Sequence, residues 1–291
     1  MLHRAIARIL DAQGAWADPL GKLFVAIFSA LYKPVPILKD FLNGVWLGHP
    51  LHPAITDVPI GAFVVALVLD IMGARPAATA AIGVGVLFMI IAALVGYADY
   101  IDLEGKPRRF GTVHSSFMLL AAVLYLVSFG MRIGCCGSAP GSDAEVWLSV
   151  VGFVIVIGSA YVGGELVYNM GSQVDRHAWR GGGTKWTAVE VGELPENQPV
   201  KAKAGAQTLV LVRQSKDIHA LHDICAHQGC NLSDGGKVVG NTIECPCHGS
   251  RYRLRDGLVV RGPAVFDQPH YDVRETSGKM EVRRTETLST G

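Results

Sequence analysis

Between residues 54 and 170 the chain runs through four apolar stretches, roughly Ala54 to Met72, Ala77 to Ala98, Thr112 to Met131 and Glu145 to Tyr168. Each approaches the ~20 residues that a helix needs to cross the hydrocarbon core of a bilayer. A soluble helix of that length carries a polar stripe. Segments such as AFVVALVL and GVLFMIIAALVG are apolar on every face. Small residues recur inside them (Gly83, Gly85, Gly96, Ser115, Ser116, Gly152, Gly158, Ser159), and in lipid such residues let helix backbones approach closely. The fold class this predicts is a membrane all-α four-helix bundle over residues 49–170, followed by an all-β domain. No internal repeat or low-complexity tract is apparent.

Ahead of the bundle, residues 1–48 form an N-terminal region containing KLFVAIFSALYKPVPILKDFLNGVW. Its apolar part is short for a span, and Pro34 and Pro36 end any helix there. A helix lying along the membrane surface is expected, with Lys22, Lys33 and Lys39 toward the headgroups. Asp11 and Asp18 interrupt the basic start, so no signal peptide is expected. After residue 170 comes a polar, glycine-rich stretch, GSQVDRHAWRGGGTK, which reads as a flexible linker over 171–184. From residue 185 short alternating runs (TLVLVRQ, KVVGNTIEC, GLVVRG) separated by Gly, Asn and Asp turns read as β-strands of a domain over 185–285, with a tail at 286–291. The net charge of +1 and the lack of a basic, aromatic-laced tract argue against a nucleic-acid partner.

Four spans place both termini on one side. That side carries Arg4, Arg8, Lys22, Lys33, Lys39, Lys106, Arg108, Arg109, Arg176, Arg180 and Lys185, and the other carries Arg75 and Arg132. The excess of basic residues marks the cytoplasmic side. A bacterial cell-membrane protein with cytoplasmic termini and a cytoplasmic β domain is expected.

Chemistry concentrates in CAHQGC (225–230) and CPCHGSRY (245–252). Cys225 and His227 sit two apart, Cys245 and His248 three apart, and each pair can lie on one tight loop. Two thiolates with two imidazoles suit either a Rieske-type [2Fe–2S] cluster, in which one iron takes two Cys and the other two His, or a zinc site. The longer pattern CAHQGCNLSDGG, IECPCHGSRYRLRDGLVVRGPA and PHYDV resembles the Rieske domain over about a hundred residues. That resemblance implies one [2Fe–2S] cluster per chain on Cys225, His227, Cys245 and His248. It also implies three antiparallel sheets and a loop tip that exposes the histidines. Cys230 and Cys247, with Ser250 and Tyr252, resemble the high-potential Rieske proteins of cytochrome bc-type complexes. This implies a Cys230–Cys247 disulfide and hydroxyl hydrogen bonds to the cluster sulfurs. A cytoplasmic disulfide is uncommon, so the topology and the disulfide pull in opposite directions.

GHPLHPAITDVPIGAFVVALVLD, and more weakly VHSSFMLL and GGELVYNMG, resemble a family of four-helix bacterial membrane proteins whose function is not established. Ionisable residues in spans are costly and mark sites. His49, His52, Asp57, Tyr97, Asp99, His114, Glu165 and Tyr168 gather at one end of the spans, and Asp70 stands at the other. The first and third helices of such a bundle are diagonal, so His52 and His114 are expected to face each other. Three readings of His52, His114, Asp57, Asp99 and Glu165 compete: a quinone pocket, a b-type haem held by His52 and His114, or a hydrogen-bonded plug. Cys135 and Cys136, adjacent in a loop, read as incidental.

The expected function is a membrane-anchored one-electron carrier between a quinol or other membrane donor and a redox partner protein. It is a component of an oxidoreductase system rather than a stand-alone catalyst. A docking subunit serving a respiratory or oxygenase complex, and a redox sensor, are the alternatives. Because each ligand is one of only four, Cys225→Ser or His248→Ala should abolish the cluster's EPR signal while the spans stay inserted. A normal Rieske spectrum in either variant would sink the ligand assignment.

Overall fold

The computed structural model describes residues 2–137, 140–178, 184–276 and 278–285; the side chains of Leu2, His3 and Cys136 are not described. The 286–291 tail and residues 179–183 of the linker lie outside the described residues. The chain divides into two compact units, a helical one made of Met1–Pro36 and Leu51–Ser172 and a β unit made of Ile37–Pro50 and Gln173–Gly291.

Among the described residues seven α-helices run in order: α1 (Leu2–Asp11), α2 (Gly14–Tyr32), α3 (Pro36–Asn43), α4 (Leu51–Ile71), α5 (Arg75–Tyr100), α6 (Gly105–Arg132) and α7 (Asp143–Gly164), the last continuing as a π-helical turn, Glu165–Asn169. Four helices are long and apolar enough to cross a membrane: α4, α5, α6, and α7 with its π turn; α2 and α3 taken together make a fifth candidate. Pro36 opens α3 rather than ending a helix, because the first helical position needs no N–H. In α2, Phe28 stacks on Tyr97 at 3.7 Å and the Tyr32 hydroxyl donates to Leu94 O at 2.8 Å, while Leu23, Ile27 and Leu31 form an exposed stripe on another face. Asp11 and Asp18 both pair with Arg109 near the start of α6.

The bundle is an internal duplication that identity between its halves does not reveal. Positions 51–70 of α4 have counterparts 62 residues on in α6, and positions 76–97 of α5 have counterparts 67 residues on in α7. Buried Pro59, Phe63 and Ala66 correspond to buried Ala121, Tyr125 and Ser128. Buried Ala78, Ile82, Gly85, Met89, Ala92 and Val95 correspond to Glu145, Ser149, Gly152, Val156, Ser159 and Val162, of which Ser159 is 2% exposed. Glycine recurs where a ring from the neighbouring helix needs the space. A Cβ on Gly85 would strike the Phe63 ring, and one on Gly152 would meet the Tyr125 ring at 3.0 Å. The two hairpins, α4–α5 and α6–α7, thus pack alike and meet about a pseudo-twofold axis.

Equivalent residues of α4 and α6 pair across that axis. Phe63 stacks on Tyr125 at 3.7 Å. At one end Asp70 and Arg132 form a bidentate ion pair with contacts of 2.8 and 2.6 Å, both side chains almost fully buried. A charge left alone in such a place costs far more than a pair.

The β unit holds two antiparallel sheets. One has six strands in the order β1 (Thr187–Ala188), β10 (Lys279–Arg284), β9 (His270–Thr276), β4 (Asp217–His222), β3 (Gln207–Gln214), β2 (Val200–Ala204). The other has four in sequence order, β5 (Lys237–Val239), β6 (Thr242–Glu244), β7 (Arg251–Arg253) and β8 (Val259–Arg261). Three sheets were implied by the resemblance; the pairs Ala220↔Tyr271 and Leu221↔His270 fuse two of them into one. In β3, Leu209, Val210, Leu211 and Val212 are all buried, because its alternate faces serve two cores. Residues expected outside this domain also belong to it. Ile37–Pro50 joins the β unit, with Asp40 Oδ1 accepting from Gly262 N at 2.9 Å, and so does the linker from Gln173. The β unit so delimited reaches beyond the expected 185–285, into the stretches expected at 1–48 and 171–184.

Replacing Arg132 by Leu should destabilise the bundle by about 3–5 kcal/mol by stranding Asp70, whereas the double variant Asp70→Leu/Arg132→Leu should recover most of that loss. Thermal unfolding in detergent compares the two; a double variant as unstable as the single one would contradict the pairing.

Candidate metal centre

Two loops of matching design close the four-stranded sheet. In the first, Cys225 N donates to Cys230 O at 2.8 Å and Gly229 N to Cys225 O at 3.1 Å. In the second, Cys245 N donates to Ser250 O at 2.8 Å and Gly249 N to Cys245 O at 3.1 Å. Each loop therefore carries one Cys and one His on a hydrogen-bonded turn of fixed shape. A disulfide joins them, Cys230 to Cys247.

The first loop is also clamped from outside. Gln268, fully buried, accepts from Ala226 N at 3.0 Å and donates to His222 O and Ile224 O at 2.5 and 2.7 Å. His177 Nε2 lies 2.8 Å from Ile224 O, and Arg176 Nε donates to His227 O at 3.1 Å. Asp223 takes the Leu232 and Ser233 N–H groups at 2.7 and 2.8 Å. Sequence reasoning missed these four residues. Gln268 stood next to the PHYDV motif, and Arg176 and His177 stood in a stretch whose polarity read as linker.

Cys225 and Cys245 are buried and their thiols face each other. The hydrogen bond from Cys225 holds the Cys245 thiol below its usual range, to about 7; burial opposes this, and the Cys247 and His248 N–H groups assist it. A thiolate is the form that binds iron. Burial above all, with the nearby positive charges of Lys39 and Arg176, lowers the His227 ring to about 3, which keeps the imidazole neutral. His227 Nδ1 is buried and has no hydrogen-bond partner among the described residues. The two rings lie 4.9 Å apart, centre to centre. No three His, Cys, Asp or Glu side chains among the described residues converge as a single ion requires. The donors fit a two-iron cluster, which takes two protein ligands per iron, better than a tetrahedral zinc.

The Tyr252 hydroxyl, fully buried, lies 3.1 Å from Cys225 Sγ. Ser250, also fully buried, accepts from Ala264 N at 3.0 Å and hydrogen-bonds Tyr252. The expected exposure of both histidines is corrected: His227 is 4% exposed and only His248 is half-buried.

In the helical unit the five expected site residues separate. His52 and His114 do face each other, ring centres 6.5 Å apart. Asp57 is exposed. Asp99 is buried at the end of α5. Glu165 accepts from Asn169 at 2.6 Å and from Tyr161, and it borders a separate cavity with Arg4, Arg8 and Lys106. Tyr168 is exposed, and His49 belongs to the β unit. Cys135 is exposed and lies in a 3-10 turn.

Residues 185–272 match the family described as Rieske [2Fe-2S] domain, and residues 48–176 match the one described as Predicted membrane protein (DUF2231). The ferredoxin component of the naphthalene 1,2-dioxygenase system of Pseudomonas aeruginosa is 30% identical over 91 residues, 31% of this chain and 86% of that protein. The anthranilate 1,2-dioxygenase ferredoxin subunit of Burkholderia cepacia is 29% identical over 92 residues, 32% of this chain and 84% of its own length. The cytochrome b6-f complex iron-sulfur subunit 3 of a Nostoc species is 38% identical over 77 residues, 25% of this chain and 42% of that subunit. With two clamped Cys/His loops and these relatives, the chain belongs to the Rieske [2Fe–2S] domain family, joined here to a DUF2231 membrane domain.

Proposed function

We propose that the protein is a membrane-anchored one-electron carrier of the high-potential kind, taking electrons from a quinol or another lipid-soluble donor and passing them to a redox partner. The observation that carries this reading is the buried Tyr252 hydroxyl 3.1 Å from Cys225 Sγ, with Ser250 beside it. When bound, a Rieske cluster supplies a single-electron couple. Donors aimed at its sulfur ligands favour the more negative, reduced form and so raise the potential. The half-buried His248 is the ligand edge through which an electron and a proton would leave together. The second reading, an accessory subunit serving an oxygenase, draws on the dioxygenase ferredoxins among the relatives.

The cytoplasmic placement of the termini and the Rieske domain is part of the same proposal. It rests on the basic residues of the N-terminal region and of the α5–α6 loop. The basic residues assigned to the opposite side, Arg75 and Arg132, are held in ion pairs with Glu145 and Asp70. In that compartment the Cys230–Cys247 bond would have to persist against a reducing pool.

Potentiometric EPR of the purified protein tests the carrier reading. Tyr252→Phe and Ser250→Ala should each lower the midpoint potential without loss of the cluster. A neutral hydrogen bond worth ~0.5–1.5 kcal/mol corresponds to roughly 20–60 mV for one electron. An unchanged or raised potential would count against the high-potential assignment. Protease added to inverted vesicles should reach the Rieske domain and protease added to right-side-out vesicles should not; the opposite pattern would reverse the orientation.

A further inference from the structure

The pseudo-twofold axis of the bundle is lined by three pairs of equivalent residues from α4 and α6. Two of the pairs close in direct contact, the Phe63–Tyr125 stack at 3.7 Å and the Asp70–Arg132 ion pair. The third, His52–His114, stands open, with ring centres 6.5 Å apart and planes at 88°.

Both rings are held the same way. His52 Nδ1 lies 2.9 Å from Ala92 O on α5, and His114 Nδ1 lies 2.8 Å from Ser159 O on α7, the position equivalent to Ala92. A carbonyl oxygen only accepts, so each Nδ1 carries the proton and each Nε2 presents a lone pair. Gly96 and Gly163, four residues beyond those carbonyls, leave room for the rings: a Cβ would come within 2.8 Å of His52 and 3.2 Å of His114. Ser159 Oγ also donates to His114 O at 2.9 Å. Duplicated glycine, carbonyl and imidazole on both hairpins make a built pair of oriented rings rather than two incidental histidines. An Nδ1–H donated to a backbone carbonyl is the support that metal-binding imidazoles receive, fixing the tautomer and aiming Nε2.

The size of the gap limits the occupant to something one atom thick. An imidazole ring of ~1.3 Å bonds is about 1 Å in radius. Were the two Nε2 atoms to face each other across the 6.5 Å between ring centres, they would stand about 4 Å apart. A direct hydrogen bond would close to about 3 Å, and a bent bridging water would span roughly 4.5–5 Å. Two metal–nitrogen bonds of about 2 Å each fill the gap with one atom. A quinol ring is too large to lie between them.

We propose that His52 and His114 are the two protein ligands, through Nε2, of a single metal centre on the pseudo-twofold axis of the membrane domain. No third His, Cys, Asp or Glu converges with them among the described residues. The centre is therefore one that needs two imidazoles and no more from the protein: the iron of a haem, whose porphyrin supplies four in-plane nitrogens, or a bare two-coordinate ion such as Cu(I). The proposal deepens the membrane-carrier reading but does not share its test, because the Rieske EPR signal reports the cluster separately.

The full-length protein, purified from membranes of cells supplied with haem precursor and copper, is assayed for haem by its pyridine haemochrome. Its metals are counted by mass spectrometry. The expected result is one haem, or one copper or other d-block ion, per chain beyond the two cluster irons. The double variant His52→Ala/His114→Ala should lower that occupancy at least roughly tenfold, with the Rieske EPR signal at wild-type amplitude. His114→Gly should regain the centre when imidazole is added, a rescue that a purely structural histidine would not show. In the wild-type protein itself, X-ray absorption or low-spin haem EPR should report two imidazole nitrogens on the metal. Wild-type protein holding only the two cluster irons, or a centre retained in the double variant, overturns the proposal.

Discussion

Lipid cannot satisfy a polar group, and it gives helices no hydrophobic reason to associate, since acyl chains are as apolar as leucine. The membrane half of this chain follows from that constraint. Its helices meet where glycine admits a neighbouring ring, Gly85 under Phe63 and Gly152 under Tyr125. Two of its charge pairs link separate helices, Asp70 with Arg132 and Glu145 with Arg75.

The β unit answers a different demand. Four candidate ligands on two loops must be held before any cluster arrives, and backbone hydrogen bonds within each loop set its turn. What they lack is a wall. Gln268 clamps the first loop from β9's side of the chain, and Arg176 and His177 clamp it from the segment that leaves the membrane domain. Through these contacts the ligand loop is fixed by residues far away in sequence, and His227 ends up buried while His248 keeps an outer edge. A partner meeting this domain would meet one ligand edge rather than two.

Much of this was legible from residues in order. Four apolar stretches announced four spans, because hydrophobicity acts on each residue regardless of its neighbours. The Cys/His spacing of 225–230 and 245–252 announced the cluster loops, because both ligands of each pair lie within one turn. The facing of His52 and His114 followed from helix order alone. Other features were not legible for an equally physical reason. The internal duplication is carried by size and burial at matching positions, with Phe63 answering Tyr125 and Asp70 answering Arg132, so identity is nearly absent. The polar stretch after residue 170 looked flexible because polarity is what a linker and a hydrogen-bonded clamp have in common.

Composition and local pattern by themselves determined a membrane-spanning helical half and a β half, and pointed to a two-Cys, two-His ligand set. These depend on hydrophobic run length and on spacings of a few residues, which are properties of the chain before it folds. Only the tertiary structure decided that Ile37–Pro50 and Gln173–Ala178 belong with the β unit, that Asp57 and Glu165 stand apart from the histidine pair, and that Tyr252 reaches Cys225 Sγ. Each of these is a contact between residues distant in sequence, and its free energy exists only once packing has brought the two surfaces together.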